Sequence, residues 1–359
     1  MTKKIKVGVI GVGNCFAGLI QGIEYYKKHR DKQVIGLMHK KIGRYNFDDI
    51  KFTSAFDVGA NKIGKALERA VFMSPNLVRW TKLPKSRVIV RESPVLDGVG
   101  IYVENKIKPL KNPTPLAELR KKIKEEIRKT KTEILVNYLP VGSQKATEFW
   151  AAIALETKCA FINCIPVFIA SDKNWAKKFK NRKIPIIGDD IKGQIGATIV
   201  HRVLARLADE RGAAIDQTYQ INVGGNTDFL NMLERSRLES KKISKTKAVK
   251  SQIQQSIKDN SIYIGPSDFI PFLGNTKLAF IRIQGKMFAN IPYSMELRLE
   301  VDDKANSAGV VIDAIRCTKL ALNRKIGGYL DVSTYFMKHP LIQKTDDEAR
   351  KIVEKFIIF

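Results

Sequence analysis

The chain opens with a short apolar run followed by a glycine turn and a longer mixed segment. Ile5 to Ile10 are mostly aliphatic, which is typical of a strand buried in a parallel sheet. Gly11-Val12-Gly13-Asn14 predicts a tight turn, and Phe16 to Lys28 predicts a helix. A strand, a glycine turn and a helix in this order form the first half of a dinucleotide-binding unit.

The same alternation continues over the first half of the chain. Ile50 to Phe56 predicts a second strand, which ends at Asp57, and Leu119, Ile123 and Ile127 share one side of an amphipathic helix. The remaining elements predicted here are strands at 133–139 and 160–164 and helices at 63–70, 116–127 and 146–156. Strands that alternate with helices predict the fold class α/β, with a doubly wound parallel sheet of the Rossmann type.

The pattern changes near residue 190. Polar stretches such as Asn222 to Asp228 appear, and the alternating runs 278–283 and 293–301 predict strands of an open mixed or antiparallel sheet. Two helices predicted at 307–322 and 346–357 can pack back on the first sheet. We therefore expect a second unit inserted before a C-terminal return.

Composition narrows the class of partner. The chain has 359 residues and a net charge of +27, which favours anionic partners: nucleic acid, a membrane surface or small anions. The charge is spread along the chain, and no zinc finger, RNP or KH pattern is present, so we expect no nucleic-acid partner. No run approaches the roughly 18 apolar residues of a membrane span, and Met1 leads straight into a strand pattern. We expect a cytoplasmic protein without a membrane partner.

The glycine turn is a candidate cofactor site. Gly11 and Gly13 let the backbone approach a pyrophosphate at the positive end of a helix, although Phe16 stands where the usual motif has its third glycine. A bulky side chain there predicts a tighter or displaced turn. Asp57 is placed to accept hydrogen bonds from a ribose, which favours NAD over NADP. The alternatives are a glycine turn without a ligand and a helix cap at Asp57.

Two further segments carry charged side chains in groups. Asp189 and Asp190 follow an aliphatic run and can bind a cation, orient a nicotinamide ribose or cap a helix. The Lys/Ser segment 240–247 is either a solvated charge run or a cradle for an anion. Lysines close together lower one another's pKa, which makes a lysine usable as an acid or base near neutral pH.

Nine stretches of the sequence together resemble one known family. They are Gly11–Cys15, Gln21–Tyr26, Ala55–Val58, Asn137–Ser143, Gly188–Lys192, Asn222–Asp228, Arg237–Thr246, Asn306–Asp313 and Tyr335–Lys338. With these stretches in this order, the chain resembles the myo-inositol-1-phosphate synthase family, in its bacterial and archaeal form, over nearly its whole length.

The resemblance implies an architecture and an activity. It implies an NAD-binding Rossmann domain at 1–190, an inserted α+β catalytic and tetramerisation domain at 191–302, and a C-terminal return at 303–359. It implies a homotetramer that cyclises D-glucose 6-phosphate to 1L-myo-inositol 1-phosphate. In that reaction, carbon 5 is oxidised, carbon 6 loses a proton, the enolate attacks the aldehyde at carbon 1, and the ring ketone is reduced.

The resemblance also implies the roles of individual residues. The catalytic set it implies is Lys241, Lys245, Lys286, Lys338, Asp190 and Asp303. The substrate-binding set is Asn226, Asp228 and Ser240. The cofactor-binding set is Gly11, Gly13, Asn14, Cys15, Asp57, Asn137 and Asp190. Lys338 would assist proton removal, Lys245 and Lys286 would stabilise the enolate and alkoxide, and Lys241 would bind phosphate or pass protons. A divalent cation of unknown identity is expected near Asp189 and Asp190.

Two rival functions share part of this evidence. An ordinary NAD-dependent sugar-phosphate dehydrogenase needs the same Gly11, Gly13 and Asp57, but it releases NADH and has no need of the lysine set. A basic, non-catalytic binding protein would bind anionic polymers weakly and with a steep dependence on salt.

Overall fold

The computed structural model describes residues 4–30, 33–253 and 257–359. Its strands are β1 (Ile5–Ile10), β2 (Ile50–Asp57), β3 (Val90–Glu92), β4 (Ile134–Asn137), β5 (Ala160–Asn163), β6 (Pro185–Ile187), β7 (Ala214–Gly224), β8 (Ile262–Phe269), β9 (Thr276–Lys286), β10 (Pro292–Asp302) and β11 (Gly328–Tyr329). Its α-helices are α1 (Asn14–Lys28), α2 (Leu67–Ala70), α3 (Leu116–Thr130), α4 (Gln144–Thr157), α5 (Lys173–Asn181), α6 (Ala197–Glu210), α7 (Thr227–Asn231), α8 (Glu239–Lys250), α9 (Asp303–Asn323), α10 (Ser333–Phe336) and α11 (Asp346–Ile358).

The first sheet is doubly wound. Its strand order is β11-β6-β5-β4-β1-β2-β3, and every neighbouring pair is parallel. The order reverses between β1 and β4, which is the switch point where the strand ends of such sheets form a ligand crevice. The α/β class and the Rossmann-type sheet predicted from the sequence are confirmed.

Helices bury both faces of this sheet. On one face, α1 and α9 pack through residues such as Leu19 and Val311 against the β1 side chains Val7 and Val9. On the other face, α3, α4 and α5 form a second apolar cluster around Trp150. Because both faces are covered, β1, β4 and β5 are nearly continuous apolar runs, and for this reason they were predictable from the sequence.

The second sheet has the order β10-β9-β7-β8. β7 and β8 are parallel, whereas β9 runs antiparallel to β7 and to β10, so the predicted open mixed sheet is confirmed. Helices α6 and α8 cover one of its faces, where Ala205 and Val249 join the cluster around Ile281.

The strands divide along the chain as the sequence suggested. β1 to β6 precede residue 190, β7 to β10 lie between 191 and 302, and β11 returns to the first sheet beside β6. The proposed domain limits stay a prediction, which this distribution supports. In the described part of the chain, no helix is long and apolar enough to cross a membrane.

Candidate active site

The glycine turn after β1 forms one wall of a cavity. We call this cavity the cradle; its lining includes Gly11, Gly13, Asn14, Cys15, Asp57, Lys62, Tyr138, Leu139 and Asp228. Gly11 has φ +88°, and a Cβ on it would lie 2.9 Å from the Tyr138 carbonyl oxygen, so only glycine fits there. A Cβ on Gly13 would meet no heavy atom within 4 Å. Gly13 therefore leaves open space in front of the first N–H groups of α1, where a pyrophosphate can approach.

Asp57 holds this turn in place. Its buried carboxylate accepts hydrogen bonds from the Val12 and Gly59 amides, at 2.7 and 2.8 Å, and lies 3.9 Å from the Lys62 ammonium. The residue stands at the carboxyl end of β2 and lines the cradle, as expected for a ribose acceptor.

Phe16 does not alter the turn. Its ring is fully buried and meets the Phe52 ring edge-on at 4.8 Å between centroids. The side chain points from α1 into the apolar core, away from the turn. The predicted tightening by a bulky residue is therefore wrong, because the helix directs this position inward.

Two asparagines predicted to bind the cofactor differ in their surroundings. The Asn14 carbonyl oxygen accepts from the Leu77 amide at 2.6 Å, while its buried Nδ2 has no hydrogen-bond partner among the described residues. A bound cofactor would satisfy that donor. Asn137 is fully buried, and its amide bonds to Asn163 and to the Leu139 N–H, so it supports the loop after β4. Tyr138 and Leu139, rather than Asn137, line the cradle.

A second cavity adjoins the cradle. We call it the lysine cavity; its lining includes Lys245, Lys277, Lys338, Asp190, Asp228, Asp303 and Ser307. Cys15, Tyr138, Leu139 and Asp228 line both cavities. The two sites thus share a wall.

Asp190 joins three distant segments in the lysine cavity. It follows β6, and its carboxylate accepts from the Lys338 ammonium at 2.8 Å and from the Ser244 hydroxyl of α8 at 2.7 Å. The Lys338 amide also donates to the Asp190 carbonyl, at 2.7 Å. These hydrogen bonds link a lysine, a carboxylate and a hydroxyl in one series at the cavity wall.

The remaining lysines approach from other elements. Lys245 is on α8, is 4% exposed and lines the cavity. Lys277 is the second residue of β9, and its ammonium lies 3.4 Å from Asp303 on the first turn of α9. Among the described residues, the cavity wall therefore carries three ammonium groups beside three carboxylates, and the ammonium groups suit a bound phosphate monoester and a developing oxyanion.

Comparisons with known proteins match this arrangement. A sequence model of the family "Myo-inositol-1-phosphate synthase" matches residues 196–304. An inositol-3-phosphate synthase of Mycobacterium tuberculosis is 48% identical over 358 residues, covering 99% of this chain and 96% of that protein. One of Corynebacterium glutamicum is 47% identical and covers 99% of each chain.

The chain belongs to the myo-inositol-1-phosphate synthase family. It is therefore an enzyme, an isomerase of inositol biosynthesis, and the reading as a basic binding protein is wrong. A solved myo-inositol-1-phosphate synthase-related protein of Thermotoga maritima has the same fold, with a TM-score of 0.82 over 99% of both chains at 24% identity.

One lysine assigned to the catalytic set of this synthase lies elsewhere. Lys286 ends β9 and is half-exposed, and its ammonium lies 3.9 Å from the Asp216 carboxylate. In the antiparallel register, Lys286 is opposite Ala214, whereas Lys277 is opposite Gly224, just before the Asn226–Asp228 loop. The two lysines are nine positions apart, which corresponds to about 30 Å of strand. Lys277 therefore lines the lysine cavity and Lys286 does not, and this position gives no support to the predicted catalytic role of Lys286.

The predicted substrate-binding residues are only partly brought together. Asp228 lines both cavities. Asn226 is buried behind it and caps α7 by accepting from the Asp228 amide at 3.0 Å. Ser240 is half-buried and is not part of the cavity wall, where Ser244, one turn later, bonds to Asp190. The side chain of Lys241 lies outside the described residues.

The proposed cation site does not fit its residues. Asp189 is fully buried, and its carboxylate accepts from the Asn163 amide, the Ser171 hydroxyl and three backbone N–H groups of 169–171, all within 2.7–3.1 Å. Burial raises the pKa of Asp189 to about 6, and these hydrogen bonds oppose that shift. Asp190 is engaged with Lys338 and Ser244. Within the described residues, no group of three or more His, Cys, Asp or Glu side chains is placed to hold a metal ion.

A buried lysine on α9 was missed from the sequence. The Lys304 ammonium contacts Asp228, Asp303 and the Cys15 sulfur, and its side chain is fully buried. No local sequence motif indicates this lysine, because Asp228 lies 76 positions away from it and Cys15 lies 289 positions away.

Proposed function

We propose that this chain converts D-glucose 6-phosphate into 1L-myo-inositol 1-phosphate with the help of bound NAD. The observation that carries the proposal is the wall shared by the cradle and the lysine cavity, formed in part by Cys15 and Asp228. A redox step and an aldol step on one substrate need a cofactor and a set of cationic groups next to each other.

The cradle fits NAD. The residues that would hold it are Gly13 at the pyrophosphate, Asn14 through its unpartnered Nδ2, and Asp57 at the ribose. When bound, NAD would supply redox chemistry, accepting a hydride from carbon 5 and returning it at the end of the cycle, so that no NADH accumulates. Cys15 would lie at the border with the substrate.

The proton transfers would involve a hydrogen-bonded series of side chains that begins at Lys338. Its ammonium bonds to Asp190, which in turn accepts from Ser244. Lys338 would take up the proton of the carbon-5 hydroxyl as a neutral amine when that carbon is oxidised, and Asp190 would hold the lysine in position and balance the charge of the ammonium that results. The same pair can return a proton when the ring ketone is reduced.

Lys245 and Lys277 would stabilise the negative charge that develops during the reaction. Their ammonium groups reach the cavity from α8 and β9, and Asp303 fixes Lys277 at 3.4 Å. They would stabilise first the enolate oxygen and then the aldol alkoxide, which is the task of preorganised cations in a site of low dielectric constant. Lys241, for which we keep the role of phosphate binding or proton transfer, precedes Lys245 by one helical turn.

The experiment combines two signals. Purified protein is incubated with glucose 6-phosphate and NAD while absorbance follows NADH and phosphorus NMR follows the product. We expect an inositol phosphate without lasting NADH, and loss of this signal in Lys245→Ala but not in Lys242→Ala, an exposed lysine of the same helix. Accumulation of NADH with an oxidised sugar phosphate would contradict the synthase and support a simple dehydrogenase.

The assembly we propose is a homotetramer in which second sheets pack on each other. On β7, the polar residues Thr218, Gln220 and Asn222 are buried, whereas Tyr219, Ile221 and Val223 alternate with them on the outer face. Beside them on β9, Phe280 is 39% exposed. Large apolar side chains exposed on this outer face, Tyr219 and Phe280 among them, suit burial against a second copy.

Light scattering on the eluting protein tests this assembly. We expect the mass of four chains for the wild type and a smaller species for Phe280→Glu, with Phe288→Glu as a control because that exposed ring lies on the turn between β9 and β10. A wild-type monomer would contradict the proposal. A cytoplasmic location belongs to the same proposal and is supported by the four cysteines, all of which are free thiols.

A further inference from the structure

Lys304 stands at the boundary between the cradle and the lysine cavity. Its ammonium lies 2.5 Å from Asp228, 3.4 Å from Asp303 and 3.5 Å from the Cys15 sulfur. Cys15 and Asp228 line both cavities, and Asp303 lines the lysine cavity. The ammonium therefore lies directly behind the wall that the cofactor and the substrate would share.

The backbone around Lys304 fixes this position. Asp302 caps α9 and accepts from the amides of Lys304 and Ala305, both at 2.8 Å. Gly18 of α1 lets this turn approach closely, since a Cβ there would lie 3.2 Å from the Lys304 Cβ. The side chain is thus held by a capped helix against a glycine, rather than by its ammonium contacts alone.

The charges at this point favour a cation. Asp228 and Asp303, whose side chains are 37% and 25% exposed, both contact the buried Lys304 ammonium, and their two negative charges would repel each other without it. Burial opposes the charged lysine, but the two carboxylates and Cys15 outweigh it and raise the Lys304 pKa well above its usual value. The ammonium is therefore permanently charged at neutral pH.

A second link connects Lys304 to the substrate side. Asp303 uses one oxygen toward Lys304 and the other toward Lys277, each at 3.4 Å. Lys304 thereby orients the carboxylate that positions a lysine of the cavity. It acts through Asp303 and Asp228, and it is a positioning residue rather than a catalytic one.

We propose that Lys304 is a built-in cation, which fills the place between Asp228 and Asp303 that a dissociable metal or ammonium ion would otherwise have to fill. The inference rests on the function proposed above. It agrees with the poor fit of a metal ion at Asp189 and Asp190, whose carboxylates are already engaged. The consequence is a synthase whose turnover does not depend on added cations.

The first experiment uses the wild-type enzyme with NAD and glucose 6-phosphate. After dialysis against EDTA into a tetramethylammonium buffer, product formation should stay within about twofold of its initial rate, and KCl, NH₄Cl or MgCl₂ should not raise it. Loss of activity on chelation with recovery on adding a metal ion would overturn the proposal. A wild type that never forms inositol phosphate would instead refute the proposed function, and cation binding would then decide the inference alone.

The second experiment exposes the site. The kcat of Lys304→Ala should be about 100-fold below that of the wild type in the cation-free buffer. Added NH₄⁺ or Mn²⁺ should raise the kcat of the variant about tenfold or more, and this rise should saturate with cation concentration. Electron paramagnetic resonance of Mn²⁺ should show one bound ion per chain in Lys304→Ala and none in the wild type. This second readout needs no turnover.

A matched control removes another buried lysine of the same helix. Lys319 is 3% exposed and pairs with Glu133, away from both cavities. Lys319→Ala should lose stability but gain neither a Mn²⁺ site nor a dependence on cations. If both variants behave alike, or if Lys304→Ala retains NAD binding yet neither binds Mn²⁺ nor responds to any cation, the built-in cation is refuted.

Discussion

The cradle and the lysine cavity share a wall but are assembled from the chain in different ways. The cradle depends on a glycine turn and on the end of the next strand, so its key residues Gly11, Gly13 and Asp57 lie within two neighbouring β–α connections. The lysine cavity gathers its charged groups from the loop after β6, from α8, β9 and α9, and from the segment after α10. Local pattern suffices for the first site, whereas the second exists only after both sheets have formed.

The largest expected effect separates the two ends of β9. Lys277→Met should lower kcat about 1,000-fold, because it removes a preorganised cation from the lysine cavity. Lys286→Met, on the same strand, should stay within about twofold, because that lysine is half-exposed and distant from the cavity. Steady-state product formation checks both, and NAD affinity should be unchanged in both. A severe loss in Lys286→Met alone would restore the original assignment.

The same strand shows where sequence reasoning fails. Both lysines lie near polar residues and neither has a local signal of its own, so only the pairing register of β7 with β9 tells which end reaches Asp228. Register is decided by packing across the sheet. The resemblance assigned Lys245, Lys338 and Asp190 to the catalytic set, and all three line the lysine cavity. It did not decide which end of β9 supplies a lysine to that cavity.

Asp189 and Asp190 teach a related lesson. They are adjacent acids after the same strand, yet Asp189 turns into the protein to accept five hydrogen bonds, while Asp190, at φ +62°, faces Lys338. From the sequence, the two residues were predicted to form one cation site. β7 was missed for a similar reason, because most of its buried residues, Thr218, Gln220 and Asn222, are polar, while Tyr219, Ile221 and Val223 alternate with them on the outer face. In the first sheet, β1, β4 and β5 were predictable since their residues are mostly apolar and buried on both faces.

A second prediction uses the pH dependence of stability to distinguish the surroundings of the two sheets. Burial lowers the pKa of His201, which lies on α6 against β7, to about 4. Between pH 6.5 and 4 the unfolded chain therefore binds this proton more tightly than the folded one, and stability falls as the pH is lowered. From pH 7.5 to 5 this costs about 2 kcal/mol of unfolding free energy.

His39, which packs beside α9 of the first sheet, has the opposite sign. Its hydrogen bond to Asp313, at 2.6 Å, raises its pKa, so its contribution is complete below pH 6.5 and is lost as the pH rises through the folded value. Guanidinium unfolding at pH 5 and 7.5 checks both residues. His201→Gln should be less sensitive to acid than the wild type, and His39→Gln more sensitive. Equal slopes in all three proteins would contradict this account.

The smallest expected effect lies within the cradle itself, between its two glycines. Gly11→Ala should cost about 2 kcal/mol of stability, because an L-residue is strained at φ +88° and its Cβ would press on the Tyr138 carbonyl. Gly13 has φ −90° and open space around a Cβ, so Gly13→Ala should fold with stability within about 0.5 kcal/mol of the wild type. Its methyl group would instead occupy the approach of the pyrophosphate and weaken NAD binding about tenfold.

Thermal unfolding and NAD titration by calorimetry distinguish these two roles. Weakened NAD binding at full stability in Gly13→Ala would show that the open space before α1 is where the pyrophosphate lies. Unchanged NAD affinity would mean that the cofactor approaches the cradle from elsewhere, and the cradle would then be no more predictable from its local sequence than the lysine cavity is.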